Sequence, residues 1–333
     1  MVCLAVIIGL SSELWHLMEK LTGAFPLWVL GAAVVGVSRP AAFNWFTPQY
    51  TTLALAFSMT CMGMTLSVND FRAIAKSPKP VGIGTVLQYT VMPLMGLAVA
   101  RLFRLPPALA AGVCLVGTCP GGTASNLVAL IAGADIALSV LLTAASTVLA
   151  TAATPLLTRA LVGGVVQVSA RQLVVSTAQV VFAPVALGLL LASKAQGFTR
   201  RLSPYTPLAC VALVACICGS VVAQNAAAVA ASGARLVAAV ATMHAGGFTL
   251  GYMAAKAAGL GERASRTVSI EVGMQNSALA VVLARSAFPD PLTALPGAIS
   301  ATVHSVLGSC LAAFWRAKGL DKEQPEGATH ASA

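Results

Sequence analysis

Charged side chains are scarce in this chain. Asp, Glu, Lys and Arg make up 9% of it, whereas soluble domains carry roughly 25%. A water-soluble globule is thereby excluded, because 58% of the 333 residues are hydrophobic and the mean hydropathy is +0.86. Acids are the rarer charge, ten against twenty Lys and Arg. The net charge of +10 does not imply nucleic acid. The basic residues are scattered between apolar runs, with no stripe and no interleaved aromatics. None of the eight cysteines forms a C-x-x-C pair, and no His stands at zinc-site spacing. Nearly all of these thiols fall inside apolar runs and read as small buried hydrophobes. There is no G-x-S-x-G elbow and no H-E-x-x-H helix. An intramembrane enzyme built on Ser125, Glu271, His244 and His304 therefore stands as a remote alternative, and no cofactor is implied.

Apolar runs fill the chain instead. A membrane helix needs about 20 mostly apolar residues. Charge and Gly/Pro punctuation divide the sequence into ten candidate spans: 24–38, 49–68, 80–101, 107–131, 135–160, 170–193, 205–224, 234–257, 263–286 and 294–316. The fold class is all-α, a polytopic membrane protein. Residues 1–10 are apolar but too short to span, and no positive segment precedes them as in a secretory signal. Residues 11–21, SSELWHLMEKL, read as an amphipathic helix opened by a Ser cap, so 1–23 is an interfacial segment. Residues 317–333 are polar and expected to be disordered. No transit peptide is visible.

Ten spans divide into five plus five, residues 24–161 and 169–316. An odd number per half gives the halves opposite topology, the inverted-repeat arrangement of secondary transporters. With both termini on one side, thirteen Lys and Arg lie there (Lys20, the 72–79 loop, the 194–201 loop, the 256–266 loop and the tail). Seven lie on the other side: Arg39, Arg101, Arg104, Arg159, Arg171, Arg235 and Arg285. The positive-inside rule then places both termini on the cytosolic-equivalent side.

Two polar motifs interrupt this apolar sequence at matching positions. CPGGTASN, Cys119 to Asn126, lies in the fourth span, and EVGMQNS, Glu271 to Ser277, in the ninth. Pro120 removes a backbone donor and clashes with the preceding turn. Gly121 and Gly122 tolerate non-helical angles, and Gly273 is the corresponding glycine in the ninth span. A kinked helix packed through small residues would also fit the first motif. Unwound backbone at membrane depth survives where it lines a cavity or is buried in protein, and paired broken helices in two halves mark a transporter's binding site.

Of the ten acids, Glu271 alone falls deep in a span. A carboxylate there costs at least ~2.5 kcal/mol and is functional by default, unless it simply pairs with Arg266 five residues away. Gln275, Asn276 and Ser277 follow it. On the fourth span Thr123, Ser125 and Asn126 supply hydroxyl and amide oxygens. Gln88 lies in the third span, and Ser139 and Thr143, spaced i and i+4, share a face of the fifth. One carboxylate among neutral oxygens suits a hard monovalent cation, sodium, with a proton on Glu271 as the rival. His244 and His304 read as packed, hydrogen-bonded residues, and Asp135 as the N-cap of the fifth span.

CPGGTASN, IEVGMQNS and their separation closely resemble the bile acid:sodium symporter family, over about residues 24–316. RPAAFNWFTP, MGMTLSVNDF, LQYTVMP, ALSVLLTAAST and AQNAA are similar to its plastid sodium/metabolite branch. The resemblance implies a panel of spans 1, 2, 6 and 7 and a core of spans 3–5 and 8–10, with the broken fourth and ninth crossing. It implies one sodium site at Ser125, Asn126, Ser139, Thr143 and Glu271. A second would lie at Gln88, Glu271, Gln275 and the carbonyls of Val272 and Met274. Substrate would meet Thr123, Asn276 and His304, although Ser305 stands where bacterial relatives often have Asn. The implied activity is symport of an organic anion with two sodium ions. The anion would be a small 2-oxo monocarboxylate such as pyruvate, or a pantoate/pantothenate-type acid. A bile-acid-type anion, a proton-coupled carrier and a channel are the alternatives. The chloroplast envelope is the favoured location, a bacterial inner membrane the second. The expected partners are sodium, the anion and lipid, and the expected state is a monomer, with oligomers left open.

Overall fold

A computed structural model describes residues 12–67, 72, 78–122, 124–164, 166 and 168–318. The described chain is helical, with one isolated antiparallel bridge, between Gly121 and Gln275. Helices α1 (Ser12–Gly23) and α2 (Phe25–Ser38) meet at a 55° bend, followed by α3 (Pro48–Thr65) and α4 (Pro78–Leu102). Next come α5 (Pro107–Thr118), α6 (Ala124–Ile131) and α7 (Ile136–Val162). Helix α8 (Ala170–Thr177) runs through a π turn, Ala178–Phe182, into α9 (Ala183–Lys194). The remainder is α10 (Gln196–Leu202), α11 (Thr206–Gln224), α12 (Ala226–Ala257), α13 (Glu262–Gly273), α14 (Ser277–Ala287) and α15 (Leu295–Lys318).

Among the described residues six helices are long and apolar enough to cross a membrane, or seven if the bent α1–α2 pair counts as one span. The six coincide with the third, fifth, sixth, seventh, eighth and tenth expected spans. The other four fall short for separate reasons. Helix α2 has 14 residues. Helix α3 has 18 but carries Gln49, Thr51, Thr52, Ser58 and Thr60, which lower its hydropathy. The fourth and ninth spans are each cut into two short helices, α5–α6 and α13–α14. Cutting a span shortens both pieces below what a hydropathy window needs, so for these two spans the shortfall has the cause the motifs gave.

The element boundaries follow the sequence chemistry. Asp135 accepts from Leu138 N at 3.0 Å and caps α7, satisfying one orphan donor of the helix start. The uncharged run from 202 to 234 divides at Asn225, which leaves the helical region between α11 and α12. Helix α15 extends two residues past the expected 316 boundary. The tail beyond Lys318 and the leading residues up to Ser11 lie outside the described residues.

Packing sorts the helices. Helix α2 lies along α11 and α3 along α9, while α4 packs on α5, α7 and α12, and α12 on α13 and α15. Large apolar side chains such as Leu27, Leu53, Val86, Leu94 and Leu156 point outward. In water such a surface would aggregate, whereas in hydrocarbon it is the expected exterior. Lipid supplies no hydrophobic drive between helices, so close approach of small residues matters. Gly63 and Gly188 meet at the α3–α9 contact, and Gly36 meets Gly219 at α2–α11.

Candidate functional site

The two breaks meet at the centre of the molecule. Helix α5 ends at Cys119, whose backbone turns extended, and α13 gives way to extended Met274. The freed backbone groups then pair with each other. Gly122 N donates to Met274 O at 3.0 Å and Asn276 N donates to Pro120 O at 2.8 Å. Each broken helix thus supplies partners for orphan groups of the other, which a break at membrane depth requires. The approach is close: a Cβ on Gly122 would stand 2.8 Å from the Gln275 carbonyl oxygen. Gly273 plays a different part from the one its sequence position implied. It is the last helical residue of α13, and the break falls after it, at Met274–Asn276. A Cβ on Gly273 would run into the Phe248 ring, so the glycine is there for packing.

Glu271 sits one turn before this crossover and is buried. Ser125 Oγ donates to its Oε1 at 2.6 Å, Ser139 Oγ donates to the same oxygen, and Thr143 Oγ1 donates to Oε2 at 2.8 Å. Asn126 Oδ1 accepts from Ser139 Oγ at 2.8 Å and Thr143 Oγ1 at 3.2 Å. All five residues expected of the first sodium site therefore converge, from α6, α7 and α13. Arg266 is not Glu271's partner: its Nε binds Glu262 at 2.7 Å, and its guanidinium lies over the Trp315 ring.

The residues expected of a second site are also adjacent, but mostly engaged with one another. Gln88 Nε2 donates to Cys119 O and to Gln275 Oε1, each at 2.9 Å. The Val272 carbonyl accepts from Gln275 Nε2 at 2.7 Å, and the Met274 carbonyl from Gly122 N. Among the described residues, Gln88 Oε1 is buried without a hydrogen-bond partner, as is Thr85 Oγ1. Both residues line a small pocket with Ser146 and Glu271. Thr85 and Ser146 were not singled out in the sequence. A periodic signal existed, since Thr85 precedes Gln88 by one helical turn and Ser146 follows Thr143 by one.

Of the three expected substrate contacts, the two that are described, Asn276 and His304, are closed against neighbouring side chains. Thr123 lies outside the described residues. Asn276 is buried, its Oδ1 capping α14 at Leu279 N (3.0 Å) and its Nδ2 reaching Met59 Sδ on α3 at 3.7 Å. His304 is buried too, 3.5 Å from Ser277 Oγ and edge-on to His244. The His244 ring contacts the Gly273 carbonyl and Ser300 Oγ, each at 2.8 Å. A cavity of about 660 Å³ lies between α1, α6 and α15, with Lys20, Leu127, Arg266 and Arg316 in its lining. A second one, which also touches Leu127, opens between α2, α3 and α11 on one side and α6 on the other. It holds about 200 Å³ and is lined by Thr22, Ser58, Cys61, Thr65, Asn126 and Cys210 among others. Asn126 thus faces both the Glu271 cluster and the cavity.

Comparison with known sequences agrees with this geometry. The sodium bile acid symporter family matches residues 52–232, more than half of the chain. The chain belongs to the sodium bile acid symporter family. As a member it is a transporter and not an enzyme, and a multi-pass membrane protein. It is similar to the probable chloroplastic sodium/metabolite cotransporter BASS1 of Oryza sativa subsp. japonica, 47% identical over 94% of this chain and 77% of that protein. Its Arabidopsis thaliana counterpart is 48% identical over 90% of this chain and 74% of its own length. The rice BASS2 protein, also named a probable chloroplastic sodium/metabolite cotransporter, is 42% identical over 93% of this chain. A sodium-dependent transporter of Bacillus subtilis, YocS, is 38% identical over 90%. The plastid-named symporters place this one in the plastid envelope.

Proposed function

We propose that the chain couples inward movement of sodium to transport of a small organic anion, with sodium held at Glu271. One observation carries the reading: the buried cluster has more oxygens than hydrogens to share. Three hydroxyl hydrogens, from Ser125, Ser139 and Thr143, face Glu271 Oε1 and Oε2, Asn126 Oδ1, and the carbonyls of Gly122 and Ser139. Ser139 cannot serve Asn126 and Glu271 with one hydrogen. A surplus of buried lone pairs is costly, and a hard cation removes it. A proton on Glu271 would relieve the same surplus; the choice of sodium rests on the relatives, which are named sodium/metabolite cotransporters and a sodium-dependent transporter. On binding, the hydroxyls would turn their lone pairs to the ion. A second sodium would draw on the unpartnered Gln88 oxygen, with Glu271, Gln275 and the carbonyls of Val272 and Met274 released from their present partners.

The reading as ten spans in two inverted halves draws support from the packing. Shifting every span by five places turns the α2–α11 contact into α9–α3, α4–α5 into α12–α13, and α4–α7 into α12–α15. Spans 1, 2, 6 and 7 then form the panel and the rest the core, and alternating access comes from their relative movement, with both termini on the cytosolic-equivalent side. The cavity of about 200 Å³ is smaller than the ~300 Å³ at which drug-sized sites begin. That favours a small monocarboxylate, pyruvate-like or pantoate/pantothenate-like, over a bile acid. Two sodium ions with one monoanion move one net charge, worth ~2.3 kcal/mol per 100 mV. The test is uptake of such acids into proteoliposomes: a sodium gradient should drive it and a proton gradient should not. Uptake indifferent to sodium would overturn the reading.

A further inference from the structure

The cavity touches one end of α3 and α11, at Thr65 and Thr206. At the opposite ends of the same two helices a different contact crosses the seam. Arg285, on α14, donates from one guanidinium nitrogen to Gln224 Oε1 at 2.6 Å and from another to Thr51 Oγ1 at 3.3 Å. Thr51 opens α3 and Gln224 closes α11. Arg285 is partly buried, yet among the described residues no carboxylate lies within ion-pair distance of it. Arg266, on the other half of the same broken span, has Glu262 at 2.7 Å. A partly buried guanidinium satisfied by neutral oxygens is unusual, because its planar fork matches a carboxylate. Its two acceptors, an amide oxygen and a hydroxyl, each take a separate guanidinium nitrogen, the two donors that a carboxylate engages in a bidentate pair.

We propose that Arg285 is an anion-binding group of the face opposite the cavity, specific for carboxylate. This rests on the reading of the chain as an anion symporter that alternates between two open states. In the state described here Gln224 and Thr51 hold the guanidinium and close that face. When α14 separates from α3 and α11, the same nitrogens become available to an incoming monocarboxylate. The guanidinium is then the first partner of the anion, and its return to Gln224 and Thr51 accompanies closure behind the substrate.

The experiment uses sided proteoliposomes, with uptake measured separately from each face at saturating sodium. Arg285→Gln should raise the KM for the acid about tenfold from the Arg285 face, the worth of one charged hydrogen-bond pair, and leave it within about twofold from the cavity face. Arg285→Lys should recover part of that loss, because the charge remains and the fork does not. The double variant Thr51→Ala with Gln224→Ala should act in the opposite direction. With no neutral oxygens competing for the guanidinium, KM from that face should fall roughly threefold. Equal KM changes from both faces for Arg285→Gln, or an unchanged or higher KM for the double variant, would overturn the proposal. Wild-type uptake that ignores sodium would instead sink the symport reading, so the two failures are distinguishable.

Discussion

Replacing Gly122 by Ala should weaken sodium coupling without unfolding the protein. The added Cβ would stand 2.8 Å from the Gln275 carbonyl oxygen and 3.2 Å from its carbon. Both are backbone atoms, so no flexible side chain can give way. The strands of the crossover must part, lengthening the Gly122–Met274 and Asn276–Pro120 hydrogen bonds of 3.0 and 2.8 Å. Losing one buried bond outright costs ~1–3 kcal/mol. Partial loss of two, set against relaxation, comes to about 2 kcal/mol. Glu271 lies one turn upstream, so a displacement of Met274–Asn276 is felt at the ion cluster. If the full amount appears as weaker sodium binding, the sodium concentration for half-maximal uptake rises roughly 30-fold. The assay is a sodium titration of uptake in proteoliposomes, with thermal melting as the check on folding. Gly82→Ala, at a position where a Cβ meets nothing within 4 Å, serves as the control and should change nothing. A folded Gly122→Ala protein with wild-type sodium dependence would refute the reasoning.

Further expectations concern single contacts. Thr143→Val removes one hydroxyl from Glu271 Oε2 and keeps its volume; sodium half-saturation should rise roughly 10- to 100-fold, since hydrogen bonds to charged groups are worth ~1.5–3 kcal/mol, while the KM for the acid at saturating sodium stays close to wild type. His244→Leu strips the Gly273 carbonyl and Ser300 of a shared partner, and an unsatisfied buried group costs ~1–3 kcal/mol, so the melting temperature should fall by a few degrees. Glu262→Gln takes the paired charge from buried Arg266 and should likewise lower it, an effect that calorimetry or a thiol-reactive melt would measure. Gly273→Ala should be the more damaging of the glycine changes to stability, because the Phe248 ring fills the space its Cβ would need.

Much of the site was legible because breaking a membrane helix leaves a coarse mark. Pro120 with two glycines, and one carboxylate among ten acids placed at membrane depth, mark the two broken spans without any knowledge of packing. The i, i+4 spacing of Ser139 and Thr143 put both hydroxyls on one face, and the structure aims that face at Glu271. The role of Gly273 was not legible, since the reason for it is the Phe248 ring on another helix. Thr85, Ser146 and Arg285 were passed over for the same reason. Each looks ordinary in its own segment and gains meaning from what lies across the interface. Asn276 and His304 were expected at a substrate cavity, yet in this state they are closed against Met59 and Ser277. Among the spans, six match continuous helices long and apolar enough to cross a membrane, and the other four fall below that test because α2 is short, α3 is polar and two spans are cut.

The most direct test of the central claim is sodium binding itself, measured as the rise in melting temperature with sodium against a potassium control, in wild type and Glu271→Gln. The account predicts a saturable, sodium-specific stabilisation of the wild type, growing with RT ln(1 + [Na]/Kd), and none in a folded Glu271→Gln protein. A variant that sodium stabilises as strongly as wild type would contradict it.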